Sequence, residues 1–315
     1  GLSLNTALQN AGLSQEAIEY LMSVYGLGTY LHSAFTEHLR EEVERIWIDG
    51  FDEVVGGFDL LPKRMEEAIG GSILFRGAKV NRVTRQGKKI ITTYVDGENN
   101  VKNLTSDWVV CTAPLGTLSQ IDLTAVISDK KNRAIRQVTY DVSTKVLIKC
   151  SKRFWELKDG IYGGGSIWDG GLGHTWYPSD NAEAKDISVS NKPAYLLASY
   201  TWGQQAQRMD SLHQQDVKKY VVNELRKIHP DMQEGDISSV IRWSWANYNL
   251  SSGAFAFFSP GDQKDHYKNL KKADGRFLLA GEHCSLSHSW VQGALESAID
   301  VVNHIHKTSS VEANT

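Results

Sequence analysis

Apolar and polar positions follow three different rhythms along the 315 residues, and each rhythm predicts its own kind of element. Over the first fifty residues the repeat is helical. Ser14 stands at an N-cap position before Ile18, Leu21 and Met22, a run that ends at Gly26, and a second amphipathic stretch extends from Ser33 to Trp47. Beyond Gly56-Gly57-Phe58-Asp59 the spacing predicts a helix from Leu60 to Ile69, closed by Gly70-Gly71. The pattern then turns to alternation. Runs at Lys79–Thr84, Lys89–Val95 and Val101–Thr105, divided by turn signals at Gln86-Gly87 and Asp96-Gly97, predict a β-meander. The unbroken apolar run Trp108–Cys111 predicts a buried strand that ends in a Thr112-Ala113-Pro114 turn.

From about Val142 to Pro260 the strands are longer, at Lys145–Cys150, Tyr195–Thr201 and Ser239–Trp245, around one amphipathic helix from Ser211 to His229. This is an α+β pattern. The glycine-rich stretch Gly160–Gly173 lacks strand-to-helix surroundings and reads as a mobile loop, not a phosphate cradle. The last unit is a short strand at Arg276–Ala280, a loop from Gly281 to Ser289 and a helix from Trp290 to His306. A helix start leaves N–H groups unpaired and carries partial positive charge, so Trp290-Val291-Gln292 can hold an anion or an electron-rich ring edge. An ordinary strand-to-helix connection is the alternative reading.

Composition narrows the partners. With 41% hydrophobic and 23% charged residues and a net charge of -3, the chain has no basic excess for nucleic acid or anionic lipid. Cys111, Cys150 and Cys284 form no CxxC pair, so they predict buried thiols, neither a disulfide framework nor a metal site. No apolar run approaches the ~18 residues that would span a bilayer. The N-terminus has no apolar signal core, so a soluble protein is expected, its compartment open between cytoplasmic and secreted, with a start that reads as internal. Nine tryptophans and twelve tyrosines suit a flat aromatic ligand and an ordinary core alike. Gly26-Leu27-Gly28 follows a helix and Gly163-Gly164-Gly165 opens none, so no dinucleotide phosphate loop is expected in these residues.

Leu279-Ala280-Gly281-Glu282-His283, followed by Ser289-Trp290-Val291-Gln292-Gly293-Ala294-Leu295-Glu296-Ser297, resembles the C-terminal flavin motif of the flavin amine oxidases. Further blocks match in the same order: Gly56–Pro62, Val109–Pro114, Ser143–Val146 with Phe154-Trp155, and Trp243 before Ser252–Phe255. The resemblance spans nearly the whole chain and is closest to the L-amino-acid oxidases. It implies a partial FAD-binding, Rossmann-like domain interleaved with a mixed-sheet substrate domain and a helical segment, a mixture of α/β and α+β. The segments expected are 1–50 (helical), 51–140 (FAD-binding, with the meander), 141–260 (substrate-binding) and 261–315 (FAD-binding).

By the same resemblance, Glu282 holds the ribityl chain, Ser289, Trp290, Val291, Gln292 and Ala294 lie at the isoalloxazine, Thr112 ends a flavin-facing strand and Gly281 is a further cofactor-binding residue. The backbone of Val80 faces adenine, and Trp243 lies against the ring system. Lys145 becomes the lysine that positions a water beside flavin N5, although a lysine in an apolar strand can also snorkel. Phe255 and Trp290 form the aromatic walls of the substrate site, and Tyr177 grips an α-carboxylate. Ala254 stands where monoamine oxidases carry the flavin-bonding cysteine, so FAD is expected to be held non-covalently. Ser289 replaces a glycine common in L-amino-acid oxidases. The implied reaction is oxidation of L-amino acids by FAD with O2, yielding 2-oxo acid, ammonia and H2O2. An N-terminal segment or chain would supply the missing phosphate loop, and a homo-oligomer is expected. Amine or polyamine oxidation, an inactive fragment without FAD, and a generic aromatic-rich binding module are the alternatives.

Overall fold

The computed structural model describes residues 1–25, 28–44 and 50–313. Helices α1 (Leu4–Asn10), α2 (Gln15–Tyr25), α3 (Phe35–Glu44) and α4 (Leu60–Ile69) precede strands β1 (Lys79–Gln86), β2 (Lys89–Val95), β3 (Val101–Ser106) and β4 (Val109–Cys111). The chain continues through α5 (Asp129–Gln137), β5 (Thr139–Asp141), β6 (Ser143–Cys150), α6 (Phe154–Leu157), β7 (Gly165–Ile167), β8 (His174–Trp176), α7 (Ile187–Ser190) and β9 (Ala194–Trp202). Its last part holds α8 (Gly203–Ser211), α9 (Gln214–Ile228), β10 (Ile237–Ser244), β11 (Phe255–Phe257), α10 (Lys268–Lys271), β12 (Phe277–Leu279) and α11 (Val291–Ala313). Gly26, Leu27 and Trp47 lie outside the described residues. Two compact units divide the chain: Gly1–Phe35 with Val138–Gln263, and Thr36–Gln137 with Lys264–Thr315.

The first unit is built on a five-stranded sheet in the order β10-β6-β9-β8-β7. Each of its four ladders is antiparallel, where a mixed sheet was expected. Alternation sends Val146, Ile148, Leu196 and Ala198 to one face, where they pack with Val217, Val221 and Leu225 of α9 and with Phe154 and Trp155. The helix expected at 211–229 is α9, which starts only at Gln214 because Leu212 and His213 are extended (ψ 140° and 143°), and α8 ahead of it is an additional helix. Asp210 ties the end of α8 to the sheet, accepting from Thr144 Oγ1 (2.7 Å) and Ser244 Oγ (2.6 Å). Within the glycine-rich stretch, expected as a mobile loop, β7 and β8 pair as a hairpin. A side chain at Gly165 would meet the Trp176 ring, and one at Gly173 (φ +62°) would press on the Tyr200 carbonyl, so these glycines permit close packing. In α2, Ser14 Oγ accepts the Ala17 N–H at 3.2 Å, as its cap position predicts. Ile18 and Met22 then bury against Leu4.

In the second unit β1, β2 and β3 form the expected antiparallel meander. Strand β4 pairs in parallel with β12, Cys111 opposite Leu279. Strand β12 is fully buried, whereas β4, expected to be buried, is half-exposed, with Val110 39% accessible. Leu278, Ala280 and Val301 make the core beneath them. Helix α11 runs past the predicted stop at His306 to Ala313, since neither glycine nor proline follows to end it. Lys131, in the highly charged α5, is 1% exposed and donates to the carbonyls of Asn269 (3.0 Å) and Leu270 (2.7 Å) at the end of α10. Among the described residues no helix is long and apolar enough to cross a membrane.

Candidate active site

The parallel pair β4 and β12 ends on one edge, and both chains leave the sheet there, β4 through Thr112 and β12 through Ala280 and Gly281. The Ala280 N–H still donates to Cys111 O at 3.0 Å, which holds the two exits side by side. Crevices at the C-terminal ends of parallel strands are the usual ligand sites of open α/β sheets. Gly281 has φ +137°, and a side chain there would strike the His283 ring, so the turn requires glycine. Its N–H donates to Ser297 Oγ (2.8 Å), fixing the turn to α11.

The loop returns to α11 through Ser289, a non-glycine residue at φ +65°. That left-handed geometry is one glycine adopts more readily, and it is held by the Glu282 carboxylate, which accepts the Ser289 N–H at 3.0 Å. Gly293, in the first turn of α11, lies so close to Ser287 O and Ser285 Oγ that a Cβ would overlap both. The helix start is thereby clasped by its own loop. Outside that clasp, Thr112, Ser289, Val291 and Gln292 are exposed, Val291 at 46%. Gln292 Nε2 donates to Glu296 (2.8 Å), and Ala294 is half-buried. The structure thus brings together Thr112, Gly281, Glu282, Ser289, Trp290, Val291, Gln292 and Ala294. Val80 stands instead in the meander, at the bulge between Val80 and Arg82.

Three residues of α3 hold this loop, and none was singled out from the sequence. Glu37 accepts from His288 Nδ1 (2.6 Å) and from Arg40 (2.8 Å), and Arg40 also reaches the Leu286 carbonyl at 3.5 Å. Glu41 accepts the Trp290 indole N–H at 3.1 Å. Burial alone would raise Glu37, but His288 and Arg40 together outweigh it and leave its carboxyl below the usual range. Burial dominates at Glu41 and pushes its carboxyl up, against the lowering effect of the Trp290 bond. A signal did exist. Two carboxylates at i and i+4 repel on a bare helix, so Glu37 and Glu41 with Arg40 between them call for partners from elsewhere. His283, 2% exposed, is lowered to about 4 by burial, and its Nε2 has no partner among the described residues. Cys284 is a buried free thiol pushed up to about 12 by desolvation, as expected of a packing residue. Cys150 is likewise buried, whereas Cys111 is only half-buried.

The remaining predicted residues belong to the first unit. Trp243, Lys145, Tyr200 and His174 lie opposite one another across β10, β6, β9 and β8, a single row on the sheet face away from α9. Lys145 Nζ sits over the Tyr200 ring, 4.5 Å from its centroid, and desolvation lowers its pKa. Trp243 is 41% exposed and packs on Trp245 and Tyr248. Phe255 is buried and stacked on Tyr30 at 5.9 Å. Tyr177 lies deeper than an open binding residue would. It is 6% exposed within the core around Trp155, and its hydroxyl is engaged by Ser166 Oγ (2.8 Å) and His229 Nε2 (2.7 Å). His229 Nδ1 in turn meets Asp159 at 2.8 Å. The hydroxyl expected to grip a carboxylate is thus bonded within the core in this structure.

The family described as flavin containing amine oxidoreductase matches residues 5–306. YobN of Bacillus subtilis (strain 168) is 33% identical over 302 residues, 95% of this chain and 61% of that protein. An L-amino-acid oxidase of Siganus canaliculatus is 30% identical over 94% of the chain and 55% of its own length. The flavin-dependent L-tryptophan oxidase RebO of Lentzea aerocolonigenes is 32% identical over 79% of the chain and 52% of its length. The chain therefore spans between about half and three fifths of these curated relatives.

Proposed function

The chain belongs to the flavin-containing amine oxidoreductases, and on that premise we propose that it serves the oxidative deamination of L-amino acids with non-covalently held FAD and O2 as acceptor. The observation that carries this reading is the clasped strand–loop–helix from Phe277 to Ala313, whose open edge combines the exposed backbone at Ser289 with the start of a 23-residue helix. A flavin ring fits these residues. Val291 and Leu295, 46% and 43% exposed, offer apolar contact, the helix start offers N–H donors and partial positive charge, and His283 contributes an unsatisfied ring nitrogen.

When bound, the flavin supplies the two-electron acceptor, so that amino acid, O2 and water become 2-oxo acid, ammonium and H2O2. The chain's own residues bind and orient. Glu282 and the Ser289 backbone would hold the cofactor, and the Trp290 indole, fixed by Glu41, would form an apolar wall that excludes water. Lys145 is the proposed proton-handling residue of the first unit, because desolvation moves its ammonium toward the neutral form and lets it exchange a proton with a bound water. Contact with the pyrophosphate is assigned to a segment beyond these 315 residues, in keeping with the greater length of the relatives.

The test is flavin content and peroxide yield on the natively purified protein. Flavin released into the supernatant by acid precipitation, and H2O2 formed with L- but not D-amino acids, supports the proposal. Colourless protein, or flavin that stays with the precipitate, refutes its cofactor half, and flavin without peroxide on any L-amino acid refutes its substrate half.

A further inference from the structure

The first unit contains a cavity of about 770 Å³, walled by residues of α2, the turn after it, the β7–β8 hairpin and α8. All of its lining belongs to that unit. At its floor is His174, 7% exposed, with neither ring nitrogen bonded to any described residue. Trp168 also lines the cavity, and its indole N–H is buried without a partner among the described residues. Three orphaned polar atoms around one cavity are unusual, because each buried unpaired donor or acceptor is destabilising and native structures satisfy nearly all of them. Trp202 packs edge-on to His174, with ring centroids 4.9 Å apart, and gives the floor an aromatic wall. Burial lowers the His174 pKa, so at neutral pH the ring presents one N–H donor and one bare acceptor nitrogen. The mouth is different. It carries carboxylates at Glu19 and Asp169 and a guanidinium at Arg208, all on exposed residues.

We propose that this cavity is a binding site for a zwitterionic α-amino acid with a phenolic ring, its hydroxyl at His174 and Trp168 and its ammonium and carboxylate at Glu19, Asp169 and Arg208. Each part of that ligand answers an observation. A phenol hydroxyl both donates and accepts, so it satisfies the imidazole acceptor and takes an N–H from imidazole or indole. The ring fills the space beside Trp202. A head group with both charges matches a mouth that offers both, whereas a plain amine or acid would leave one sign opposed. The size is ordinary for a small-molecule site, typically about 300–1,000 Å³. The inference does not rest on the oxidase reading, since it concerns binding and needs no flavin.

Isothermal titration calorimetry on the intact protein, with L-tyrosine, L-phenylalanine, tyramine and 3-(4-hydroxyphenyl)propionate as probes, tests it. L-tyrosine should bind at one site about tenfold or more tighter than each of the other three, because L-phenylalanine lacks the hydroxyl that the site hydrogen-bonds and tyramine and the propionate each lack one charge of the head group. His174→Phe should remove the preference for L-tyrosine over L-phenylalanine. It should do so without lowering Tm, since it deletes two unsatisfied buried nitrogens. Arg208→Met, at the exposed mouth, should weaken L-tyrosine about tenfold and leave tyramine unchanged. Equal affinities for L-tyrosine and L-phenylalanine, wild-type binding in both variants, or no binding of L-tyrosine up to its solubility limit would each overturn the assignment.

Discussion

Replacing Glu37 by glutamine should loosen the 286–290 loop while leaving the fold intact. The wild-type carboxylate receives His288 Nδ1 and Arg40 at 2.6 and 2.8 Å, and its side chain is 9% exposed against 5% for His288. Charge-assisted hydrogen bonds of this kind are worth about 1.5–3 kcal/mol each, and removing one partner of a fully buried pair costs roughly 3–5 kcal/mol. Arg40 is 21% exposed and can regain water, and the glutamine oxygen can keep one of the two bonds. The expected loss is therefore about 2–3 kcal/mol of local stability, or roughly 30- to 100-fold faster amide exchange at about 1.4 kcal/mol per decade. Hydrogen-exchange mass spectrometry reads this directly, with peptides over 284–291 as reporter and peptides within α9 as control. The pH dependence has a definite sign. Because the folded-state pKa of Glu37 is depressed, its stabilisation is present above the ordinary carboxylate range and is lost as pH falls through the depressed value. Loop protection should accordingly fall with acid in the wild type and stay flat in Glu37→Gln. A reporter that changes less than threefold, or speeds up in step with the control, would refute the assignment of Glu37 as the loop's anchor.

Glu41 has the opposite sign: burial raises its folded pKa, so the carboxylate costs stability above that pKa and nothing below the unfolded value, and Glu41→Gln should raise Tm at pH 8 but not at pH 4 by scanning fluorimetry. Arg153 joins Glu156 (3.0 Å) and Asp180 (two contacts of 2.7 Å) while 6% exposed, so Arg153→Met should strand the buried Glu156 and cost about 3 kcal/mol or more in urea unfolding. A loss under about 1 kcal/mol would show that Asn181 and Ser190, which bond the same carboxylate at 2.7 and 2.6 Å, suffice for it. Tyr177→Phe should destabilise by about 1–3 kcal/mol, because His229 Nε2 loses its partner, yet leave KM for amino acids within about twofold. A KM rise of tenfold with unchanged stability would restore the carboxylate-binding role.

Elements whose periodicity is strictly local could be read from the sequence. The meander, α2 behind Ser14, α4 ahead of Gly70 and the strand–loop–helix at 277–313 all follow from alternation, caps and glycines within a few residues of one another. What could not be read depends on contacts distant in sequence. The glycines of 160–173 look like a flexible loop until Trp176 lies across Gly165, and α8 lies ahead of the one helix expected in its stretch. Lys131 looks like one charge among many, yet its burial is set by carbonyls about 140 positions away. The site shows the same division. Glycine geometry at Gly281 and the Glu282 carboxylate are carried by the motif itself, whereas the Glu37, Arg40 and Glu41 contacts join segments some 250 residues apart. The surroundings of Tyr177 were illegible for a related reason, since only tertiary packing shows that Ser166 and His229 engage its hydroxyl.

The carboxylates around the loop raise an electrostatic problem, because an anionic ligand edge at the start of α11 would meet Glu37, Glu41 and Glu282 as well as the helix's positive end. The structure resolves it residue by residue. Glu37 is matched by His288 and Arg40, so the cluster it forms is not a net negative source. Glu41 is driven toward its neutral form by burial, which reduces the charge it can present beside the Trp290 indole. Glu282 accepts the Ser289 N–H, so its carboxylate supports the left-handed turn that delivers the backbone to the helix start. The carboxylates therefore act as hydrogen-bond acceptors that shape the loop while the helix field stays largely uncancelled. Moving one of them has an effect that the helix alone would not produce. A charge kept permanently at position 41 should weaken an anion at this edge, whereas Glu41→Gln should leave anion binding equal or stronger. That asymmetry separates an electrostatic role for the loop from a merely structural one.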